Sequence, residues 1–131
     1  MLKTKSIHSP VETEKDGLRI LVSRFRGRGI PKDRCDVWMP NLGPSEPLLR
    51  GFKAGKIPWK EYVPRYKAEI FSSPDLDSRN TTIKNHGQKF TLRLIKELAH
   101  RQAVTLLCQC PEEEQHCHRH VLQKLILSGA I

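Results

Sequence analysis

Ala103-Val104-Thr105-Leu106-Leu107-Cys108-Gln109-Cys110-Pro111-Glu112-Glu113-Glu114-Gln115-His116-Cys117-His118-Arg119-His120 is the stretch from which the rest of the chain is read. Residues 103–108 show no alternation of polar and apolar side chains. They read as a strand covered on both faces, the habit of parallel sheets. The far end runs into Val121, Leu122, Leu125 and Ile126, spaced to share one side of a helix that stops at Ser128-Gly129. Between strand and helix lie three of the four cysteines and three of the six histidines.

A strand buried on both faces needs neighbours. Leu18-Arg19-Ile20-Leu21-Val22, rich in apolar and β-branched residues, follows the turn dipeptide Asp16-Gly17 and is the strongest partner. Leu2 to Ile7 alternates and suits a short strand, and Asp36–Pro40 reads as an extended edge piece that the proline ends. The connecting stretches carry the helical period. Ser45 is placed to cap a helix through about Gly51 with Leu48, Leu49 and Phe52 inward. Trp59, Tyr62, Val63, Tyr66 and Ile70 then mark one face of a second helix. Pro58 sits in its first turn, and Pro64 lies inside the pattern, where it is expected to kink the helix. Aromatics at this spacing read as core before base-stacking platform. Residues 72–85 read as a polar loop. From His86 or Gly87 a third helix is expected with Phe90, Leu94, Ile95 and Leu98 inward.

Strand, helices, strand, helix is an α/β order. The expectation is a single domain over residues 1–131, with a small, largely parallel sheet flanked by helices in a three-layer, Rossmann-like arrangement. A right-handed crossover makes strand 104–108 parallel to strand 18–22, so the loops leaving both meet at the carboxyl edge, where open α/β sheets take their ligands.

The composition agrees: 131 residues, 37% apolar and 28% charged, without a low-complexity tract. No apolar run reaches the roughly 18 residues of a membrane helix, and the start lacks the apolar core of a signal peptide. The expected place is the cytoplasm, where cysteines serve as thiols or metal ligands before disulfides. The net charge of +9 is uneven, with 15 Lys/Arg against 7 Asp/Glu in residues 1–67 and 8 against 7 in residues 68–131. Such a basic half is either a solubilising surface or a field that draws in phosphates or nucleic acid.

Three chemistries fit the sites. Ser23–Lys32 holds Arg24, Arg26 and Arg28 at alternate positions with Gly27 and Gly29. Guanidinium forks and closely approaching amides make this a candidate oxyanion cradle, although its spacing is neither a Walker loop nor a dinucleotide fingerprint. Cys117-His118-Arg119 opens the last helix, where free amides and the helix dipole favour anions and a lowered thiol pKa. Cys108 or Cys117 as nucleophile, His118 as acid/base and Arg119 as anion clamp would serve acyl or phosphoryl chemistry. The phosphatase pattern Cys-x5-Arg is absent, since Glu114 and His116 stand at that offset from Cys108 and Cys110. A tetrahedral zinc could instead draw on Cys108, Cys110, His116 and Cys117, with His118 and His120 in reserve, although Cys-x-Cys is not the usual Cys-x2-Cys knuckle. The plain alternative is a packed Cys108 and Cys117 with surface histidines. Cys35, which stands alone, reads as inert. The functions left open are a binding domain or enzyme for a phosphate-bearing ligand (a nucleotide or nucleic acid) that needs no cofactor, a cysteine-dependent enzyme, and a zinc-binding domain.

The chain resembles the uncharacterised YeaO-like family of small α/β domains of unknown function. The resemblance rests on Arg19-Ile20-Leu21-Val22-Ser23-Arg24-Phe25 with Arg28-Gly29-Ile30, on Asp36-Val37-Trp38, on Trp59 with Tyr66 and Glu69, and on Leu106-Leu107-Cys108 with Cys117-His118-Arg119. It implies a sheet flanked by helices and no established reaction. Cys110 departs from the family's pattern, which often carries Glu there.

Overall fold

The computed structural model describes residues 1–72 and 87–131. The polar loop expected at 72–85 therefore lies almost wholly outside the described residues. Strands β1 (Leu2–Ser6), β2 (Leu18–Leu21), β3 (Val37–Trp38) and β4 (Val104–Cys108) form one sheet in the order β1-β4-β2-β3. Every pairing is parallel, with Thr4 and Ile20 both beside Leu106. The strand expected to be covered on both faces is the central β4, and each of its five residues is buried. The edge piece at Val37–Trp38 is the exposed end strand.

Helices α2 (Glu46–Lys53), α3 (Trp59–Phe71), α4 (Lys89–Arg101) and α5 (His118–Leu127) share one apolar core with Ile20, Val22, Val104 and Leu106. Ser45 caps α2 by accepting from Leu48 N, and Glu69 of α3 accepts from Ser45 N at 2.8 Å, which ties the two helices together. Helix α3 continues through Pro64. All four residues expected inward on α5 are buried. The far face of the sheet is different. It carries a small cluster of Ile7, Leu21 and Leu107, with Ile30 and Cys35 against it. Beside it the short helix α1 (Thr13–Asp16) buries Asp16, which pairs with Lys3 and Lys5 of β1 and whose carbonyl accepts from the Thr105 hydroxyl. The third layer is thus α1 and loop, because the short, arginine- and glycine-rich connection from β2 to β3 has no apolar stripe to lay on the sheet.

One expected helix face is corrected. Phe90 and Leu94 are 50% and 59% exposed, whereas Leu92, Ile95 and Ala99 point into the core. Both stripes satisfy the helical period, and only the position of the sheet chooses between them.

Candidate functional site

Two loops leave the carboxyl edge side by side, as the parallel pairing requires. From β2, Val22 N still donates to Leu107 O at 2.9 Å, after which the chain turns away at Ser23. Ser23 Oγ donates to Phe25 O, and Trp38 Nε1 donates to Ser23 O at 2.9 Å, which anchors the turn to β3. Gly27 and Gly29 both take positive φ, +87° and +75°, the conformation for which glycine is suited. Gln109, one residue past β4, donates from Nε2 to Phe25 O at 2.6 Å and so bridges the two loops.

The four arginines proposed for anion binding fall in different places. Arg24 is half-buried in the wall of a cavity of about 570 Å³, and its buried Nε has no hydrogen-bond partner among the described residues. Arg26 folds back on its own loop, donating to Ile30 O at 2.8 Å and Pro31 O at 3.2 Å. Arg28 is exposed and outside the cavity wall. Arg119 is fully buried and outside the cavity lining, and its guanidinium donates to the carbonyls of Cys110, Pro111 and Glu112 at 3.2, 3.1 and 3.2 Å. The Glu112 carboxylate accepts from Ser6 N and from the Ser9 hydroxyl, so the cysteine loop is held to both α5 and the end of β1.

The base of the cavity is built by Cys108, Cys117 and His118. Cys108 ends β4. Cys117 is the extended N-cap of α5, and His118 is its first helical residue. The ligand-type atoms of these three side chains all lie within 4.8 Å of one another, and all three residues are buried. His118 Nε2 sits 2.8 Å from Val22 O. A carbonyl only accepts, so Nε2 carries the proton and Nδ1 turns its lone pair toward Cys108 Sγ, 3.9 Å away. The edge of the Tyr66 ring system meets His118 at 74° and 5.5 Å, which locks the imidazole from behind. Burial lowers the His118 pKa and outweighs the Val22 carbonyl, so the ring stays neutral. Thiol hydrogen bonds from Cys110 and then Cys117 drive Cys108 well below an ordinary thiol against the opposing effect of burial. Hydrogen bonding to Cys108 pushes both Cys110 and Cys117 up.

Of the expected metal donor set, Cys108 and Cys117 come together, whereas Cys110 and His116 lie outside the close group. His116 is exposed and stacks on Trp59 at 4.8 Å and 11°, at the cavity mouth, while His118 joins Cys108 and Cys117. His120 turns to Glu114 O at 3.0 Å and to the Thr4 hydroxyl. Cys35 packs in the small far-face cluster. The sequence reading gives Phe52 and Tyr62 only as inward helix residues and assigns no role to Lys53 or Glu114, yet all four line the cavity. Lys53 and Phe52 arrive only because α2 packs on α3, and Tyr62 carries the helical spacing of a core residue.

Fold and site together define a parallel α/β domain with a thiol–imidazole cluster at the carboxyl edge of its sheet. A family model described as "Active DUF488-N3 subclade" matches residues 2–130, and the chain belongs to this family. It is also similar to the uncharacterized protein YeaO of Escherichia coli (strain K12), 32% identical over 71 residues, which are 53% of this chain and 61% of YeaO. The match thus spans less than two thirds of that relative. No solved structure gives a significant match. No described helix is long and apolar enough to cross a membrane.

Proposed function

We propose that the cavity binds a small phosphate-bearing ligand of nucleotide size and presents it to Cys108, Cys117 and His118. One observation carries this reading. Arg24, with a buried Nε that no described group satisfies, lines the same cavity as the thiol–imidazole cluster. A half-buried guanidinium whose buried Nε lacks a partner seeks an acceptor, and phosphate oxygens match its fork. Lys53 adds a second cation, and Phe25, Leu49 and Phe52 supply apolar wall for a base or other ring. The volume lies within the usual range of small-molecule sites. Arg119 acts here by holding the cysteine loop, and Arg26 and Arg28 act through the surrounding field.

The test is calorimetric titration of the full chain with inorganic phosphate and with a nucleoside monophosphate, repeated for Arg24→Ala. Binding should weaken about tenfold or more in the variant, the loss of one charge-assisted pair. A wild-type Kd for both probes weaker than about 1 mM would sink the reading. If an oligonucleotide binds instead, with affinity falling steeply in salt, the partner is nucleic acid.

A second reading is supported by the His118 geometry. Nδ1 faces Cys108 Sγ as a proton acceptor, and a cysteine with an adjacent imidazole oriented in this way is the pairing of a cysteine nucleophile with its base. The family's description as an active subclade favours chemistry over binding alone. Such thiols persist in the reducing poise of the cytoplasm, the compartment proposed for the protein.

A further inference from the structure

Two sulfurs and one imidazole nitrogen converge in the cavity, a third sulfur lies in its wall at Cys110, and the packing around them has the form of a metal site. His118 donates its Nε2 proton to a backbone carbonyl, that of Val22, at 2.8 Å. This is the arrangement that orients ligating histidines, since it fixes the tautomer and directs the other nitrogen inward. Nδ1 therefore faces Cys108 Sγ at 3.9 Å as an acceptor. With zinc–sulfur and zinc–nitrogen bonds near 2.3 and 2.0 Å, a tetrahedral ion places such atoms roughly 3.6 Å apart. Cys117 lies within the same 4.8 Å group. Cys110, half-buried two residues from Cys108, lines the same cavity and is the nearest further thiol. Cys108 ends β4 and Cys117 and His118 open α5, while Cys110 sits in the loop between them, where its carbonyl is held by Arg119.

We infer that Cys108, Cys110, Cys117 and His118 hold a soft, tetrahedrally coordinated divalent cation, zinc foremost. Three thiolates and one imidazole exclude magnesium and calcium, which require oxygen, and suit zinc. Each thiol that ligates gives its proton to solvent, so binding releases protons and the cation offsets the charge gathered on sulfur. Cys110 is the adaptable member. Without it the site would keep three protein ligands, as in catalytic zinc sites. The cation stands independently of the phosphate ligand proposed above. It competes with the nucleophile reading, because a cation on Cys108 withdraws charge from the sulfur and screens it from substrate.

The experiment is titration of the full chain, reduced with a phosphine and stripped with a chelator, with cobalt(II) as the probe. One equivalent should produce thiolate-to-cobalt charge-transfer absorption and the visible bands of tetrahedral cobalt, and zinc should bleach both. Cys117→Ser should weaken cobalt binding by about 100-fold or more, beyond the 10–100-fold typical of losing an outer partner. Cys110→Ser should lose one thiolate's share of the charge-transfer intensity and keep the tetrahedral bands, while Cys35→Ser should match wild type. Circular dichroism separates loss of fold from loss of ligand, and the half-buried Cys110 provides a variant that leaves the buried packing in place. No stoichiometric cobalt spectrum in wild type, or the same spectrum after Cys110→Ser and Cys117→Ser, overturns the inference. Iodoacetamide gives the second readout. Saturating zinc should slow Cys108 alkylation, and unchanged rates overturn the site. Phosphate binding by the stripped chain reports on the cavity separately, so the two proposals fail by different results.

Discussion

Replacing Arg119 with Met tests what holds the cysteine loop in place. The side chain is fully buried and donates to three consecutive carbonyls, those of Cys110, Pro111 and Glu112. Hydrogen bonds from a charged donor contribute about 1.5–3 kcal/mol each, and those of one guanidinium are not additive. Two terms oppose them. The Nε is buried with no partner among the described residues, and Pro111 and Glu112 lie at the surface, where their carbonyls regain water once the arginine is gone. The net loss should be about 3 kcal/mol, out of a total stability of about 5–15 kcal/mol. With a urea slope of about 2 kcal/mol/M, the denaturation midpoint falls by about 1.5 M. Methionine fills much of the same volume, so the loss reports on the hydrogen bonds more than on a cavity. Arg119→Lys should fall nearly as far, because an ammonium keeps the charge and loses the planar fork. Amide exchange over residues 109–114 should accelerate in both variants. If the Met variant unfolds within about 0.5 kcal/mol of wild type, the range of ordinary surface changes, Arg119 is not the clamp described here. If Lys matches wild type, charge and not geometry does the holding.

Two further predictions concern the scaffold. Leu92→Ala should cost about 2–5 kcal/mol as a buried large-to-small change, whereas Leu94→Ala, at a position 59% exposed, should stay within about 0.5 kcal/mol. Equal losses in thermal melts would contradict the inward face assigned to α4. Asp16 governs acid sensitivity on the far side of the sheet. Burial alone would raise its pKa, but the Glu12 amide, Lys5 and Lys3 together hold it below the ordinary carboxylate value. A carboxyl whose folded pKa is depressed stabilises the fold above its unfolded pKa, near 3.9, and loses that contribution as pH falls through the lower folded value. Asp16→Asn should therefore be less stable than wild type at pH 7 by about 1–3 kcal/mol, with the gap closing at acid pH. A gap that stays constant from pH 7 to the acid limb would refute the assignment.

Much of the architecture is legible in the chain. The unbroken apolar run at 103–108 announces a doubly covered strand, because a residue buried on both sides of a sheet leaves no room for alternation. The spacing of Tyr62, Tyr66 and Ile70, and that of Val121, Leu122, Leu125 and Ile126, select one face of α3 and α5 without ambiguity. Each helix has a single apolar stripe. On α4 two stripes overlap, and the sequence holds no information on which meets the sheet. Parallel pairing of β2 with β4 follows from the order of elements, and it brings the Arg24 loop beside the Cys108 loop.

Which side chains come together at the site needed the tertiary structure. Cys108, Cys110, Cys117 and a histidine are visible as a cluster in 103–120, since proximity along the chain is proximity in space over so short a loop. Whether His116 or His118 joins them depends on where α5 begins and on the Val22 carbonyl 96 residues earlier. Arg119 looks like an anion clamp by its charge and its place at a helix start. The backbone of the cysteine loop curls over it and takes its donors, and a contact between a side chain and carbonyls carries no mark in residue type. Side-chain chemistry and period are local properties of the chain and can be read from it. The burial, orientation and partners of each group belong to the packing, and they alone decide that Arg24 faces the cavity while Arg119 lies outside its lining.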